Sequence, residues 1–564
     1  METKRLVLAF ALSAAVLIGW TILFPPPKPT APAAKPAATA PATAATAPSA
    51  TAAPAAQTAT PAPAAQTARP SAVPISAAAE ELVEVRSPLY TARLSNEGGA
   101  LKSFVLTHHR DGAGKALDLV RQSPPFPGVT LTLDPADPFL QRAQKAHFAV
   151  ERESGNGVTS VRFRYREASG EGLLRTYVFR DSYVVSVKAE REGAPGAPVG
   201  LVLGPGIGNP SPEELASRYS KPGETVTLSA SASVDRKAKD SLKEPLPKGA
   251  GLVAAGIDDN YFLTAFLPSG NATVTLRPVA LAAPAPPEGK PAPEGKPAVA
   301  EAESEVVLSA PNALATDVFL GPKELDVLEK TRPGMDRLID YGWYAIVVKP
   351  LLWGLKMIQK VVGNWGVAIL VITVVIKILL YPLTHKQLVS MKKMSVLQPK
   401  VETIRAKWAG KIKGDAQART KMNEEMMALY KQEGVNPAGG CLPLLLQMPI
   451  LIAFYNLLAH SIELRHAPFM LWITDLSAKD PYYVTPILMT ATMWIQQQMT
   501  PTGGDPTMRK VQNVMPLVMG FLFKDVPSGL VLYWLMQNVL TIGQQMLLNR
   551  FTDLGPASMK PKAP

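Results

Sequence analysis

The run Trp365–Leu383 is 19 residues long and almost wholly apolar, yet it carries a lysine, Lys377. As a helix it would extend about 28 Å, close to the hydrocarbon thickness of a bilayer. Four more apolar runs follow: Cys441–His460, Tyr482–Met499, Val511–Phe523 and Gly529–Leu548. This density of spanning-length runs restricts the fold to a helical membrane core, with spans expected at 363–383, 441–460, 482–499, 511–523 and 529–548. The run at 511–523 would reach only about 20 Å as a helix, and Lys524 and Asp525 close it. Local bilayer thinning or burial among neighbouring helices would accommodate it.

The N-terminus repeats the pattern once. Lys4 and Arg5 precede an apolar run, Leu6–Phe24. A signal peptide shares this plan with a shorter core of about 7–15 residues. The Ala-rich tract beyond Pro27 offers sites at which cleavage would remove the segment, but its length favours an uncleaved signal anchor over residues 1–24. Residues 25–79 are nearly all Pro, Ala and Thr, a semi-stiff linker with no means of building a core. A second low-complexity tract, 282–300, contains PEGKPA twice and is expected as a surface loop. A loop inserted there adds little closure entropy.

Composition separates the two halves. The chain of 564 residues is 47% hydrophobic and 18% charged, with mean hydropathy +0.08. Residues 80–335 carry a soluble pattern. In Val161–Glu167, Val161, Phe163 and Tyr165 alternate with Arg162, Arg164 and Arg166, the mark of a half-buried strand with a basic outer face. Leu173–Glu190 predicts two strands joined at Arg180–Asp181–Ser182, and Thr91–Leu106 and Val129–Leu133 continue the theme. An antiparallel sandwich is the expected outcome. His108 and His109 are adjacent, so a strand would point them to opposite faces, a poor arrangement for shared metal binding. The single cysteine, Cys441, excludes an intramolecular disulfide and is expected as a small buried residue.

Charge orients the core. The segment 384–440 holds eleven Lys or Arg against five Asp or Glu, a net +6, so it should face the cytoplasm. Alternation of sides then gives six spans with both termini cytoplasmic, including the tail 549–564, and the β domain outside. Residues 384–436 have the pattern of a helical hairpin turning at Gly410 and Gly414. Its lysines, among them Lys407, Lys411 and Lys413, make either a plain solvated face or a docking surface for an anionic partner such as lipid headgroups or ribosomal RNA. Residues 341–362 place Lys349, Lys356 and Lys360 on one helical face, which suits a helix lying in the membrane interface.

Lys377 is then the outlier. A charge near the bilayer centre costs roughly 2.5–3.5 kcal/mol. It sits about 9 Å from the cytoplasmic end of its run, further than its stem can fully snorkel. The spans contain no Asp or Glu to neutralise it, but they do hold Gln447, Gln496, Gln497, Gln498, Gln537 and Asn538. A wet cavity among the helices is the alternative to snorkelling.

The runs VVIKILLYPLT, MSVLQPKVETIR, NPAGGCLPLLLQMPI, ELRHAPFMLWITDLSAKDPYYVTPILM and VPSGLVLYW closely resemble the YidC family of membrane protein insertases. The upstream anchor, linker and β domain match its Gram-negative form. The resemblance implies an α-helical polytopic membrane protein of six transmembrane helices plus an all-β periplasmic supersandwich domain, in the bacterial inner membrane. It also implies a groove open to the cytoplasm and to lipid, with one functional positive residue. Lys377 takes that position, where the best-known members carry arginine. Lysine keeps the charge and loses the planar fork. Thr373 and Tyr533 match groove positions linked to function, and Trp534 stands where the familiar pattern has a second tyrosine. Gln447 and Gln537 complete the expected substrate groove. The partners implied are nascent membrane proteins, the Sec translocon, the lipid bilayer, and the ribosome and signal-recognition receptor through Lys407, Lys411 and Lys413.

No cofactor or metal is expected. The sequence has no P-loop, no Ser/His/Asp set and no pair of intramembrane aspartates for proteolysis, so an enzyme is not expected. Two alternatives belong to other classes. A secondary transporter would carry internal repeats and coupling carboxylates in its spans. A periplasmic carbohydrate-active protein would need a paired acid and base in the β domain.

Overall fold

The computed structural model describes residues 73–551 apart from 113, 123, 209–220, 222, 282–300, 412–414, 435–441 and 500–505. The anchor 1–24, nearly all of the linker, the 282–300 tract, Lys413, Cys441 and almost all of the C-terminal tail lie outside the described residues.

Alternation drives the first half. Strands β1 (Leu82–Arg86), β2 (Tyr90–Ser95), β3 (Leu101–Arg110) and β4 (Ala116–Asp118) form a four-stranded sheet in sequence order. Then come β5 (Thr132–Leu133), helix α1 (Pro138–Lys145), β6 (Ala149–Gly155), β7 (Val158–Arg166), β8 (Gly172–Phe179), β9 (Val184–Glu192) and β10 (Pro198–Leu203). They are followed by β11 (Glu224–Ser229), β12 (Val234–Lys237), β13 (Leu246–Gly249), β14 (Leu252–Asp258), β15 (Phe262–Leu267), β16 (Thr273–Leu281), β17 (Glu301–Pro311) and β18 (Ala313–Pro322). A nine-stranded sheet has the order β12-β11-β14-β15-β18-β9-β8-β7-β6, and a five-stranded sheet the order β13-β16-β17-β10-β5. Strands β10 and β17 pack across onto β9, β11, β14, β15 and β18, so the two large sheets form an all-β sandwich with a common core.

The expected period holds on β7, where Val161 and Phe163 are buried and Arg162 and Arg164 are exposed. The two strands expected around Arg180–Ser182 are β8 and β9. The expected Val129–Leu133 strand shrinks to two residues, because Thr130 pairs with Leu101 of β3 while Thr132 and Leu133 pair with β10. Two short ladders with different strands replace one long ladder.

After helix α2 (Leu325–Thr331) the chain becomes helical: α3 (Ala345–Val362), α4 (Trp365–Leu379), α5 (Tyr381–Val396), α6 (Gln398–Ala409), α7 (Ala416–Gln432), α8 (Leu442–His460), α9 (Val484–Met499), α10 (Pro506–Phe523) and α11 (Ser528–Phe551). Asn364 starts α4 by accepting from the Val367 amide at 3.0 Å. The expected continuous span 363–383 breaks at Leu380. Pro382 fits the first turn of a new helix and not the interior of an old one, and α5 leaves at 66° to α4. Among the described residues no single helix is both long and apolar enough to cross a membrane on length and composition, whereas the bent pair Trp365–Leu379 and Tyr381–Met394 passes together. The first arm of the hairpin expected over 384–436 is likewise split, with Pro399 in the first turn of α6. Helices α6 and α7 pack together as the hairpin pair.

The β domain is fastened to the helices around the end of α8. Asn260 Nδ2 donates to the Ala459 carbonyl at 3.3 Å, and the Tyr341 and Ser461 hydroxyls lie 3.0 Å apart. Arg465 donates to the Arg110 carbonyl at 2.6 Å. The lysines expected to line an interfacial face on α3 are partly committed: Lys349 pairs with Asp336 at 2.6 Å, and Lys356 with Asp326 at 2.9 Å and Glu463 at 2.8 Å.

Candidate functional site

Helices α4, α8 and α11 pack around a line of polar side chains. On α11, Tyr533, Gln537, Thr541 and Gln544 follow at intervals of four, four and three, which keeps them on one face. Lys377, near the end of α4, is half-buried and donates from Nζ to Thr541 Oγ1 at 2.7 Å. An ammonium has three donors, and among the described residues this is the one bond that Lys377 makes; no carboxylate pairs with it. Thr541 in turn donates to the Gln537 carbonyl at 2.7 Å.

One turn further along α11, the Tyr533 hydroxyl accepts from Gln537 Nε2 at 3.4 Å and from Gln447 Nε2 of α8. Tyr533 has no exposed surface and stacks on Phe454, with centroids 4.2 Å apart. Beyond this pair the packing is apolar. Ala368, Ile369, Leu457, Leu458 and Val531 are fully buried. Gly366 lies against the Phe469 ring so closely that any Cβ there would be 2.2 Å from it, while Asn364 also donates to the Phe469 carbonyl at 2.8 Å. The polar line is therefore closed at the end where α4 begins.

Four of the six expected groove residues meet in this line: Lys377, Gln447, Tyr533 and Gln537. Thr373 lies one turn from Lys377 on α4 but is fully buried, and its hydroxyl bonds back to the Ile369 carbonyl at 2.6 Å, so it forms wall instead of joining the line. Trp534 points elsewhere and packs edge-on against Phe523, with centroids 5.0 Å apart. Thr541 and Gln544 were missed by the sequence reading. Their signal is their spacing from Gln537, four and seven residues on, which shares its helical face. Asn538 bonds the Met489 carbonyl and Thr492 of α9 and so ties α9 to α11.

At the hairpin, Lys407 pairs with Glu425 at 2.8 Å, and Trp408 donates to the same carboxylate at 2.6 Å. The Lys407 and Lys411 ammoniums lie 5.8 and 5.6 Å from the Trp408 ring centre. The hairpin carboxylates therefore offset part of its basic charge. Lys413 is outside the described residues.

Residues 357–554 match the sequence pattern of the family described as 60Kd inner membrane protein, and residues 82–354 match that described as the YidC periplasmic domain. The chain is 38% identical to the membrane protein insertase YidC of Geobacter metallireducens, over 97% of this chain and 98% of that one. Its identity to the insertase YidC of Citrifermentans bemidjiense is 39%, over 97% and 99%. The chain belongs to the YidC family of membrane protein insertases. A crystal structure described as an active YidC insertase with its first transmembrane domain resolved aligns over 85% of this chain and 95% of that chain, at 20% identity and a TM-score of 0.35. As a YidC member the chain is a membrane protein with a periplasmic β-sandwich domain.

Proposed function

We propose that the polar line from Lys377 to Gln447 is the floor of a half-depth notch that receives the polar flank of an incoming membrane protein. The chain is an insertase and not an enzyme, in keeping with its family, and nascent membrane proteins are its substrates. The observation that carries the notch reading is Lys377 itself: a half-buried cation engaged, among the described residues, by one hydroxyl and no carboxylate. Such a charge is under-coordinated for a structural role and suits transient attraction of an anionic or polar segment. The apolar part of the client then moves sideways into lipid. No covalent step is involved.

The reading takes the six spans expected from the sequence: the segment 1–24 with its basic end inside, then α4 with the helix it bends into, α8, α9, α10 and α11. Val371, Ile378, Ile487, Leu488, Leu517, Phe521 and Leu547 are all exposed on these helices, an apolar belt of the kind that lipid covers. By the positive-inside rule the +6 hairpin favours the cytoplasmic side for the Lys377 end of α4, and the reading takes both termini inside and the β domain in the periplasm. The ribosome, the signal-recognition receptor and the Sec translocon are the proposed protein partners, the first two through the hairpin at Lys407, Lys411 and Lys413.

Protease protection of a short client with an acidic translocated flank tests the notch, in cells depleted of the parent protein. Lys377→Arg should retain protection and Lys377→Glu should abolish it. Equal protection by Lys377→Glu and the parent would reduce Lys377 to a snorkelling residue and end the proposal.

A further inference from the structure

Helix α5 leaves α4 at an angle and packs on α8 and α11. Thr384, in its first turn, accepts from Gln544 Nε2 of α11 at 3.2 Å. One turn on, and so on the same face, is Gln387. Its side chain is 5% exposed, and among the described residues neither Nε2 nor Oε1 has a hydrogen-bond partner. Gln544 is 9% exposed; one Nε2 hydrogen goes to Thr384, while its Oε1 lacks a partner among the described residues. Two buried amides with unmet hydrogen-bonding capacity therefore face the α5–α11 contact, just beyond the Lys377–Thr541 bond. Leaving a buried donor or acceptor unmade is costly, and a leucine or methionine would pack at either position without that cost. Among the described residues, nothing in the packing of the bundle accounts for glutamine there.

We infer that Gln387 and Gln544 form a subsite for the peptide backbone of the client's polar flank. The inference rests on the notch reading above and extends it from charge to hydrogen bonding. A carboxamide offers one acceptor and two donors, the same pairing that a peptide unit presents, so it can bond any extended chain regardless of its side chains. Gln537 and Tyr533, bonded to each other, lie on the same face of α11. From Tyr533 to Gln544 is eleven residues, about 16 Å of helix, or about five residues of extended chain. Lys377 selects anionic side chains at mid-length, and the glutamines hold the backbone whatever its sequence. A segment entering the membrane must leave water with every peptide group unpaired. The Gln387 amide and Gln544 Oε1, themselves unsatisfied, accept it without first breaking a bond of their own.

The test uses the full chain in proteoliposomes and two clients with the same apolar span. One has an uncharged Gly/Ser flank; the other has proline at alternate flank positions, which removes those N–H groups. Gln387→Met should lower insertion of the Gly/Ser client by about five-fold, the effect of losing one neutral hydrogen bond. The proline client should change less than two-fold, and the thermal midpoint of the protein should hold or rise. A Gln544→Met variant should repeat the pattern. Equal losses for both clients, or no loss for either, would overturn the inference, the latter meaning that the amides hold only water. A photo-crosslinker at position 387 should trap the client flank; capture of the chain's own C-terminal tail instead would also overturn it. Lys377→Glu run in parallel on an acidic-flank client reports separately on the notch.

Discussion

Two cations without carboxylate partners among the described residues, one buried and one half-buried, sit in different halves of this molecule and are treated in opposite ways. Arg175, on β8 in the sandwich core, has no exposed surface. It donates to the Gly98 carbonyl at 2.6 Å, the Leu131 carbonyl at 2.7 Å and the Tyr177 hydroxyl at 2.5 Å. Three fixed acceptors from three segments surround it, and Gly99 beside it, at φ +67°, lets the chain turn close against the stem of its side chain. Lys377 has one hydroxyl. A charge that serves the fold is enclosed by acceptors the fold provides. On the proposed notch reading, a charge left short of partners, half-open among helices, serves something that comes and goes.

Replacing each cation with methionine breaks or sharpens that contrast. The largest effect is expected at Arg175→Met, which leaves two buried carbonyls unpaired at roughly 1–3 kcal/mol each. A loss of about 3 kcal/mol should appear as faster hydrogen exchange along β8 and β9 in the full-length protein. Exchange no faster than in the parent would remove Arg175 from any structural role. Lys377→Met should act in the other direction, stabilising the bundle by as much as about 2.5 kcal/mol while insertion of acidic-flank clients falls. Tryptophan fluorescence during detergent unfolding reads this out, since every described tryptophan lies between Trp343 and Trp534. A destabilised bundle would place Lys377 in the same class as Arg175.

The smallest effect lies where the two halves meet. Burial, reinforced by the charges of Arg465, His108 and His466, holds the His109 imidazole near a pKa of about 4 against an ordinary 6.5. Its ring packs edge-on against Phe262. Because the folded value is depressed, the neutral ring contributes stability that is complete above pH 6.5 and is lost as pH falls toward 4. Protection of the β3–β15 neighbourhood should weaken over that window, and His109→Phe should flatten the dependence. An unchanged slope in that variant would assign the acid sensitivity to other groups.

Periodicity made the sandwich legible, because alternation such as Val161, Phe163 and Tyr165 is a local property. Arg175 shows where that reading stops. It lies on the buried face by the same alternation, but the acceptors that permit it come from residues 44 and 77 positions away. The core was legible as apolar runs, and Lys377 as their exception. Its partner Thr541 is 164 residues distant, and no local pattern links the two. The break at Leu380 was written in Pro382, but the run's continuous hydropathy masked it. Thr373 and Trp534 matched family positions, yet packing turned one toward its own backbone and the other toward Phe523. Sequence position fixes the helical face of a side chain, and only the neighbouring helix decides what that face meets.

The apolar end of the polar line, from the Phe454–Tyr533 stack to Phe469 against Gly366, has an electrical consequence. In the proposed orientation, and with the proposed notch open to water, the cytoplasmic potential would reach inward to Lys377 and beyond. The transmembrane voltage then drops across the remaining apolar layer alone, so the field there is steeper than in the surrounding bilayer. Each elementary charge crossing it exchanges about 2.3 kcal/mol per 100 mV. With the cytoplasm negative, an acidic flank released from the lysine is driven outward over a shortened path, while small ions meet a closed insulating wall.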